Sequence, residues 1–137
     1  MNTSFRWLAV AVAVAAASMA GCGAPGEPEA QLVGVYAVKQ GGTLKELVKI
    51  ERQGDRYVMR DKVRTPEWSE PRMQLLPVTR KRWRRITTDS AETAFVGVSS
   101  DQLAIFKVAP GWRKNSFKTE TGYFLVYSQG PVEAFKL

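Results

Sequence analysis

Short stretches of alternating apolar and polar residues run through most of the chain, separated by residues that favour turns. In residues 44–51, Leu44, Val48 and Ile50 would share one face of a strand, and Lys49 would lie on the other. Alternation with a period of two is typical of strands that bury one face. We predict strands over 32–39, 44–51, 56–61, 72–78, 93–98, 103–108, 122–127 and 132–135.

Glycine, proline and small polar residues mark tight turns between these stretches, as at 40–43 and 128–131. Residues 62–71 contain two prolines and are predicted to form a long loop. Only the segment after Pro77 has helical periodicity. We therefore expect an all-β fold, a small antiparallel meander of about 7–9 strands that forms a β-barrel or a two-sheet sandwich. We slightly prefer the barrel, because closure removes exposed strand edges.

The first 22 residues have the organisation of a secretory signal. A short amino-terminal part with one arginine precedes an uncharged run of 13 residues, 8–20. A helix across a bilayer needs ~20 apolar residues, so this run is too short for a permanent span. The run leads into Ala20-Gly21-Cys22, and Cys22 is the only cysteine of the chain. We predict that residues 1–21 form a cleaved signal peptide.

The segment before Cys22 resembles the signal of bacterial lipoproteins, in which two small residues precede a cysteine. Met19 stands where that family prefers leucine. The resemblance covers only the first 22 residues. It implies cleavage before Cys22, diacylglycerol on its sulfur, an acyl group on the new amino terminus and anchoring in the cell envelope. Gly23 favours the outer membrane, facing the periplasm. The alternative is an ordinary secretory signal followed by a free thiol.

Residues 22–31 are predicted to be the lipidated cysteine and a flexible tether, and residues 32–137 a single small β domain. The tether is rich in proline, glycine and glutamate, which cannot bury enough apolar surface to order it. Without the signal the chain has 19 lysines and arginines, since only Arg6 is lost, and 13 aspartates and glutamates, a formal charge of +6. The chain has no histidine, so we expect no zinc, copper or non-haem iron site, and no cofactor besides the acyl groups.

The sharpest local feature is the run Arg80-Lys81-Arg82-Trp83-Arg84-Arg85. A strand could bury neither face of this run, whereas a short helix would place Trp83 and Ile86 near one side. Trp83 could dock inward, or insert outward into a membrane interface. Clustered guanidinium groups suit phosphates and carboxylates, because each presents a planar fork of donors. The alternative is a solvated segment whose like charges discourage sheet-to-sheet association.

A second basic and aromatic segment, Trp112-Arg113-Lys114, follows the break at Pro110-Gly111. If it lies beside the first run, the two form one cationic patch. Trp112 is equally expected to cap the core. The residues predicted to bind an anion or a partner are Arg80, Lys81, Arg82, Trp83, Arg84, Arg85, Trp112, Arg113 and Lys114.

These features predict a membrane-anchored, non-enzymatic interaction module. Its basic domain would dock on an acidic envelope protein, as an accessory factor or as an inhibitor or immunity factor. The alternative is a binding module for lipid, lipopolysaccharide or another anionic amphiphile. The first hypothesis predicts a solid core, and the second an apolar cavity that opens near the basic residues.

Catalysis and nucleic-acid binding are not expected. The chain has no histidine for acid–base chemistry and no Gly-x-Ser-x-Gly motif for a nucleophile. Its carboxylates sit mostly at predicted turns or among lysines and arginines. An exported lipoprotein rarely meets nucleic acid. We therefore predict no catalytic residues and no metal ligands.

Overall fold

The structure, a computed structural model, describes residues 27–137. The predicted signal peptide, Cys22 and the first residues of the predicted tether lie outside this range. Cleavage and lipidation therefore stay predictions. Within residues 27–137, no helix is long and apolar enough to cross a membrane.

Ten strands, one α-helix and one 3₁₀-helix make up the described part of the chain. The 3₁₀-helix spans Pro28–Leu32 and the α-helix, α1, spans Arg80–Thr87. The strands are β1 Gly34–Gln40, β2 Thr43–Gln53, β3 Arg56–Asp61, β4 Met73–Pro77, β5 Val96–Ser99, β6 Ala104–Lys107, β7 Arg113–Lys114, β8 Phe117–Lys118, β9 Tyr123–Tyr127 and β10 Gly130–Lys136.

Eight of these strands close into one antiparallel barrel. β1 to β6, β9 and β10 pair in chain order, and β10 pairs with β1 to complete the ring. β7 and β8 form a separate hairpin between β6 and β9. The prediction of a small antiparallel barrel is therefore confirmed, and the two-sheet sandwich is not the fold.

The barrel interior is an apolar core to which all eight barrel strands contribute. Alternation sets which side chains point inward: in β9, Leu125 belongs to this core, whereas its neighbours Phe124 and Val126 pack outside it. The buried members of the interior core are Leu32, Tyr36, Val38, Val48, Ile50, Tyr57, Met59, Leu75, Val98, Leu103, Ile105, Leu125 and Ala134.

A second, mostly aromatic core lies on the outer face of β6 and β9. α1 and the β7–β8 hairpin cover that face, and Trp83 of α1 is fully buried at its centre. Strands β6 and β9 are thus buried on both faces, which explains their continuous apolar sequences. The members of this outer core are Val78, Trp83, Ala104, Phe106, Val108 and Phe124, with Ile86, Phe95, Trp112, Phe117 and Val126 packed against them.

The 3₁₀-helix closes one end of the barrel. Leu32 is fully buried, and its carbonyl oxygen accepts a hydrogen bond of 2.7 Å from the Tyr36 hydroxyl. Burial is the main reason that the pKa of Tyr36 is raised above its ordinary value. Gln31 accepts hydrogen bonds from Lys107 and Lys136, at the ends of β6 and β10. The sequence analysis placed residues 28–31 in a flexible tether, whereas these contacts make them part of the folded domain.

Candidate interaction surface

α1 forms because its sequence supplies a cap and good helix-forming residues. The Thr79 hydroxyl accepts a hydrogen bond of 3.2 Å from the Arg82 amide at the amino-terminal end. At the other end Thr88 adopts a left-handed conformation, with φ of 57°, and its amide donates to the Arg84 carbonyl oxygen. Arg84 and Arg85 lie in the last turn, where positive charge stabilises the helix dipole.

Trp83 points inward and is not available to a partner. Its ring stacks on Phe95 at 4.4 Å between centroids, and its Nε1 donates a hydrogen bond of 3.2 Å to Asp89. Burying the indole stabilises the fold, because its large apolar surface leaves water while its one hydrogen-bond donor stays paired. The prediction that Trp83 belongs to the binding residues is therefore corrected: Trp83 is a core residue.

Arg80 and Arg82 use their guanidinium groups to hold α1 on the barrel. Arg80 donates a hydrogen bond of 2.6 Å to the Thr93 carbonyl oxygen and lies over the Phe95 ring. Arg82 donates to the Ser99 hydroxyl at 2.8 Å and to the Ser100 carbonyl oxygen at 3.0 Å. Both side chains are half-buried. Both guanidinium groups are bonded to the barrel, so they contribute to the fold as well as to the basic surface.

The remaining cations of α1 are exposed. Arg84 pairs with Glu92 at 2.8 Å, whereas Lys81 and Arg85 form no ion pair within residues 27–137. Lys81 and Arg85 are four residues apart, so they lie on the same side of the helix. This side is a cationic strip with no neutralising carboxylate in the described part of the chain.

The β7–β8 hairpin brings the second basic segment against α1. Trp112 lies 5.4 Å from the Trp83 ring and stacks on Phe124 at 5.3 Å, so it packs on the outer core while staying half-exposed. Arg113 is exposed and Lys114 is half-buried. The two basic segments that the sequence singled out therefore meet in space.

Lys114 also lies close to the buried carboxylate of Asp89. The pKa of Asp89 is held below its ordinary value, first by the hydrogen bond from Thr93; the positive charge of Lys114 adds to this effect. Asp89 comes directly after the end of α1. The charge of Lys114 on the β7–β8 hairpin thus favours the ionised form of this buried carboxylate.

A pocket of about 180 Å³ lies between the end of α1 and the hairpin. Ile86, Trp112, Phe117, Phe124 and Val126 supply its apolar lining. Its polar lining comes from Thr87, Thr88, Lys114 and Asn115. Lys114 is the cation in its lining, and the helix and hairpin that frame it carry the exposed cations Lys81, Arg85 and Arg113. We call this pocket, together with those three exposed cations, the docking face.

A second, larger cavity of about 610 Å³ lies at the end of the barrel opposite the 3₁₀-helix. Core residues Val48, Met59 and Leu103 are part of its lining, together with Arg82. This cavity opens to solvent at the end of the barrel and is not enclosed in the core, so the expectation of a solid core stays a prediction. The cavity does lie beside a basic residue, as the amphiphile hypothesis expected, but the free cations of the docking face do not line it.

Some contributors to the docking face were not found from the sequence. Phe95 was assigned to a strand, yet it precedes β5 and stacks on Trp83. The carboxylates were expected to sit mostly at turns or among lysines and arginines, yet Asp89 is buried, with only 6% of it exposed. Its hydrogen-bonding partners Trp83 and Thr93 become adjacent only when α1 docks, so no local pattern indicates the contact.

Metal chemistry has no obvious place in the described domain. Within residues 27–137, no three side chains of the histidine, cysteine, aspartate or glutamate types cluster as a cation site. The absence of metal ligands and of catalytic residues stays a prediction.

Comparison with known proteins yields no matching family model, no matching curated protein and no matching solved structure. The function proposed below is therefore inferred from the geometry of this chain alone.

Proposed function

We propose that this protein is a non-enzymatic interaction module that docks on an acidic surface of another cell-envelope protein. The observation that carries the proposal is an aromatic-lined pocket with Lys114 in its wall, framed by a helix and a hairpin whose exposed cations Lys81, Arg85 and Arg113 have no ion-pair partner in the described residues. Such a pocket would fit an apolar side chain of a partner protein that is flanked by carboxylates. The role would be that of an accessory factor, or of an inhibitor or immunity factor.

The two parts of the docking face would contribute differently to binding. Exposed charges such as Lys81 and Arg85 mainly accelerate and orient the encounter, and salt weakens their effect. A side chain that fills the pocket against Trp112 and Phe117 would supply most of the affinity, because buried anchors dominate interface energies. The complex should therefore form quickly, weaken with salt and depend strongly on one apolar anchor.

The chain geometry is consistent with attachment through Cys22. Glu27 accepts a hydrogen bond of 2.7 Å from the Tyr57 hydroxyl, so the described chain starts at the barrel end that the 3₁₀-helix closes. Residues 23–27 can span at most roughly 17 Å. A diacylated and N-acylated Cys22 would hold this end near the outer membrane, with the opposite end directed into the periplasm.

A second candidate function is binding of anionic lipid or lipopolysaccharide by the docking face. Lys81 and Arg85 support it, because flexible cations without a partner can reach phosphate groups at a membrane surface. Acidic residues on a protein and phosphates on a lipid both satisfy such cations. The pocket favours the protein partner, since it offers a shaped site for one side chain.

Co-purification tests the proposal. The lipoprotein, tagged at its carboxyl end, is extracted in mild detergent and eluted at low and at high salt. The variant Lys81→Ser/Arg85→Ser/Lys114→Ser is compared with a control, Lys45→Ser/Arg56→Ser/Arg64→Ser, which removes three exposed cations outside the docking face. We expect one stoichiometric protein that is weakened by salt, lost from the variant and kept by the control.

Two outcomes would overturn the proposal. One is a protein partner that the variant retains as well as the control does, because its contact would then lie elsewhere. The other is phospholipid or lipopolysaccharide without any stoichiometric protein, lost from the variant, which would establish the second candidate instead.

A further inference from the structure

The open end of the barrel carries features that the docking face does not explain. Asp61 ends β3, Met73 begins β4, Leu103 precedes β6 and Tyr127 ends β9, and all four side chains line the cavity of about 610 Å³. A volume of this size is within the range of sites that enclose small organic molecules. We call this cavity the mouth.

The deeper walls of the mouth are apolar and adaptable. Val48, Met59 and Leu103 come from the interior core, and Met73 packs against it. Two of these four residues are methionines, whose flexible and polarizable side chains conform to apolar ligands of different shape. Such walls suit a hydrocarbon chain.

The Tyr127 hydroxyl is an unpaired polar group in this cavity wall. Its oxygen is buried and has no hydrogen-bond partner within residues 27–137. Burial, and secondarily the charge of Asp61, raises the pKa of Tyr127 to about 12, so the hydroxyl keeps its proton at neutral pH. An unpaired buried hydroxyl is costly, and a turn of the Tyr127 side chain toward the mouth would let the polar group of a bound molecule satisfy it.

The charges around the mouth disfavour an anion. Asp61 and Asp101 both line it, and Asp61 is only 9% exposed. The guanidinium of Arg82 is already hydrogen-bonded to Ser99 and Ser100. Arg72 approaches the Asp61 carboxylate at 3.6 Å, which leaves that carboxylate with room for a further donor.

We propose that the mouth binds a small amphiphile with a hydrocarbon chain and a hydrogen-bond-donating head, either an ammonium or a hydroxyl group. The chain lies along Met59, Met73 and Leu103. The head donates to Asp61 and satisfies the hydroxyl of Tyr127. This ligand differs from the anionic amphiphile expected from the basic composition, because Asp61 and Asp101 line the mouth and its one cation, Arg82, is already hydrogen-bonded. The mouth shares the lining residues Ile86 and Val126 with the docking face but none of its exposed cations.

The test uses three soluble probes with the same six-carbon chain: hexylamine, 1-hexanol and hexanoate. The full-length lipoprotein is placed in phosphatidylcholine nanodiscs, with its methionine methyl groups isotopically labelled for NMR. We expect hexylamine and hexanol to shift the Met59 and Met73 signals in a saturable way, and hexanoate to leave them unchanged. The relative affinities of the amine and the alcohol then identify the preferred head.

Variants separate this site from a non-specific effect. Tyr127→Phe removes a hydroxyl without a partner in the described chain, so the fold is retained, and it should weaken the amine and the alcohol about fivefold. Lys81→Ser/Arg85→Ser/Lys114→Ser should bind the probes as the unmodified protein does. The proposal is overturned if hexanoate binds as tightly as hexylamine, if no probe shifts Met59 or Met73, or if Tyr127→Phe binds unchanged.

Discussion

The Nε1 of Trp83 donates a hydrogen bond of 3.2 Å to the carboxylate of Asp89, and the same carboxylate accepts one of 2.6 Å from Thr93. Asp89 also accepts a hydrogen bond from the Ala91 amide. One buried carboxylate thus joins the inner side of α1 to the loop that leads into β5. Together with the hydrogen bonds of Arg80 and Arg82, this contact holds the helix of the docking face against the barrel.

Replacing Asp89 should therefore destabilise the whole domain. In Asp89→Ala the indole and the Thr93 hydroxyl lose their acceptor inside the protein, and we expect unfolding to become easier by about 1–3 kcal/mol. Urea denaturation followed by tryptophan fluorescence measures this change. Ser90→Ala, at an exposed position one residue away, serves as the control and should leave the midpoint unchanged. Equal midpoints for the two variants would contradict the role of Asp89.

The same carboxylate predicts a pH dependence. Hydrogen bonds, first from Thr93, depress the pKa of Asp89 in the folded state. A carboxylate whose pKa is lower in the folded state than in the unfolded state stabilises the fold at any pH above its unfolded-state pKa, about 3.9. This contribution is lost as the pH falls through the folded-state pKa. The difference in unfolding free energy between the unmodified protein and Asp89→Asn should be constant from pH 7 to about pH 5 and should shrink below pH 4.

Other carboxylates do not change the difference in unfolding free energy between the unmodified protein and Asp89→Asn. The pKa of Glu51 is also lowered, chiefly by its hydrogen bond from Arg60, but Glu51 is present in both proteins and cancels in the difference. If the difference in unfolding free energy between the two proteins grew as the pH fell, the pKa of Asp89 would be raised in the folded state, which would contradict this prediction.

A substitution at Gly97 probes the packing beneath the helix. A Cβ atom at this position of β5 would overlap the ring of Phe106, which is fully buried. Gly97→Ala should cost about 1–3 kcal/mol, the usual penalty for overfilling a core. In a Phe106→Leu background the added methyl group has more room, so its penalty should be smaller. A thermodynamic cycle over the four proteins checks this, and an unchanged penalty in the two backgrounds would contradict it.

Removing each of two buried tyrosine hydroxyls should change the stability of the domain by a different amount. The Tyr36 hydroxyl donates to the Leu32 carbonyl oxygen, so Tyr36→Phe leaves a buried acceptor without this donor and should cost about 1–2 kcal/mol. The Tyr127 hydroxyl has no partner in residues 27–137, so Tyr127→Phe removes a costly unpaired group and should leave the protein as stable as before or more stable by about 1 kcal/mol. Thermal unfolding of both variants tests the contrast, and a larger loss for Tyr127→Phe would show a missing partner.

Local alternation in the sequence was sufficient to predict most of the barrel. Residues 44–51 alternate as expected of a strand with one buried face, and they lie within β2. Glycines in the turn at 40–43 have positive φ, as its composition indicated: Gly41 at 58° and Gly42 at 82°. Strands joined by tight turns can pair only with their neighbours in the chain, which is why a meander was predictable.

Local sequence patterns could not predict the contacts between segments that are distant in the chain. The inward side of α1 depends on Trp83 meeting Phe95 and Trp112, and these residues are far enough apart in sequence that no periodicity links them. The 3₁₀-helix at Pro28–Leu32 was missed because its polar, proline-containing sequence is also typical of a linker. Two-residue strands such as β7 and β8 are too short to show alternation.

In the proposed complex, Lys81 and Lys114 belong to one face that contacts a single envelope protein. Site-specific photocrosslinking in living cells tests this contact, with a photoreactive phenylalanine analogue placed singly at position 81, at position 114 and, as the control, at position 45. We expect positions 81 and 114 to crosslink to the same protein and position 45 not to do so. Crosslinks to that protein from position 45 alone, or crosslinks from 81 and 114 only to lipid, would contradict this expectation.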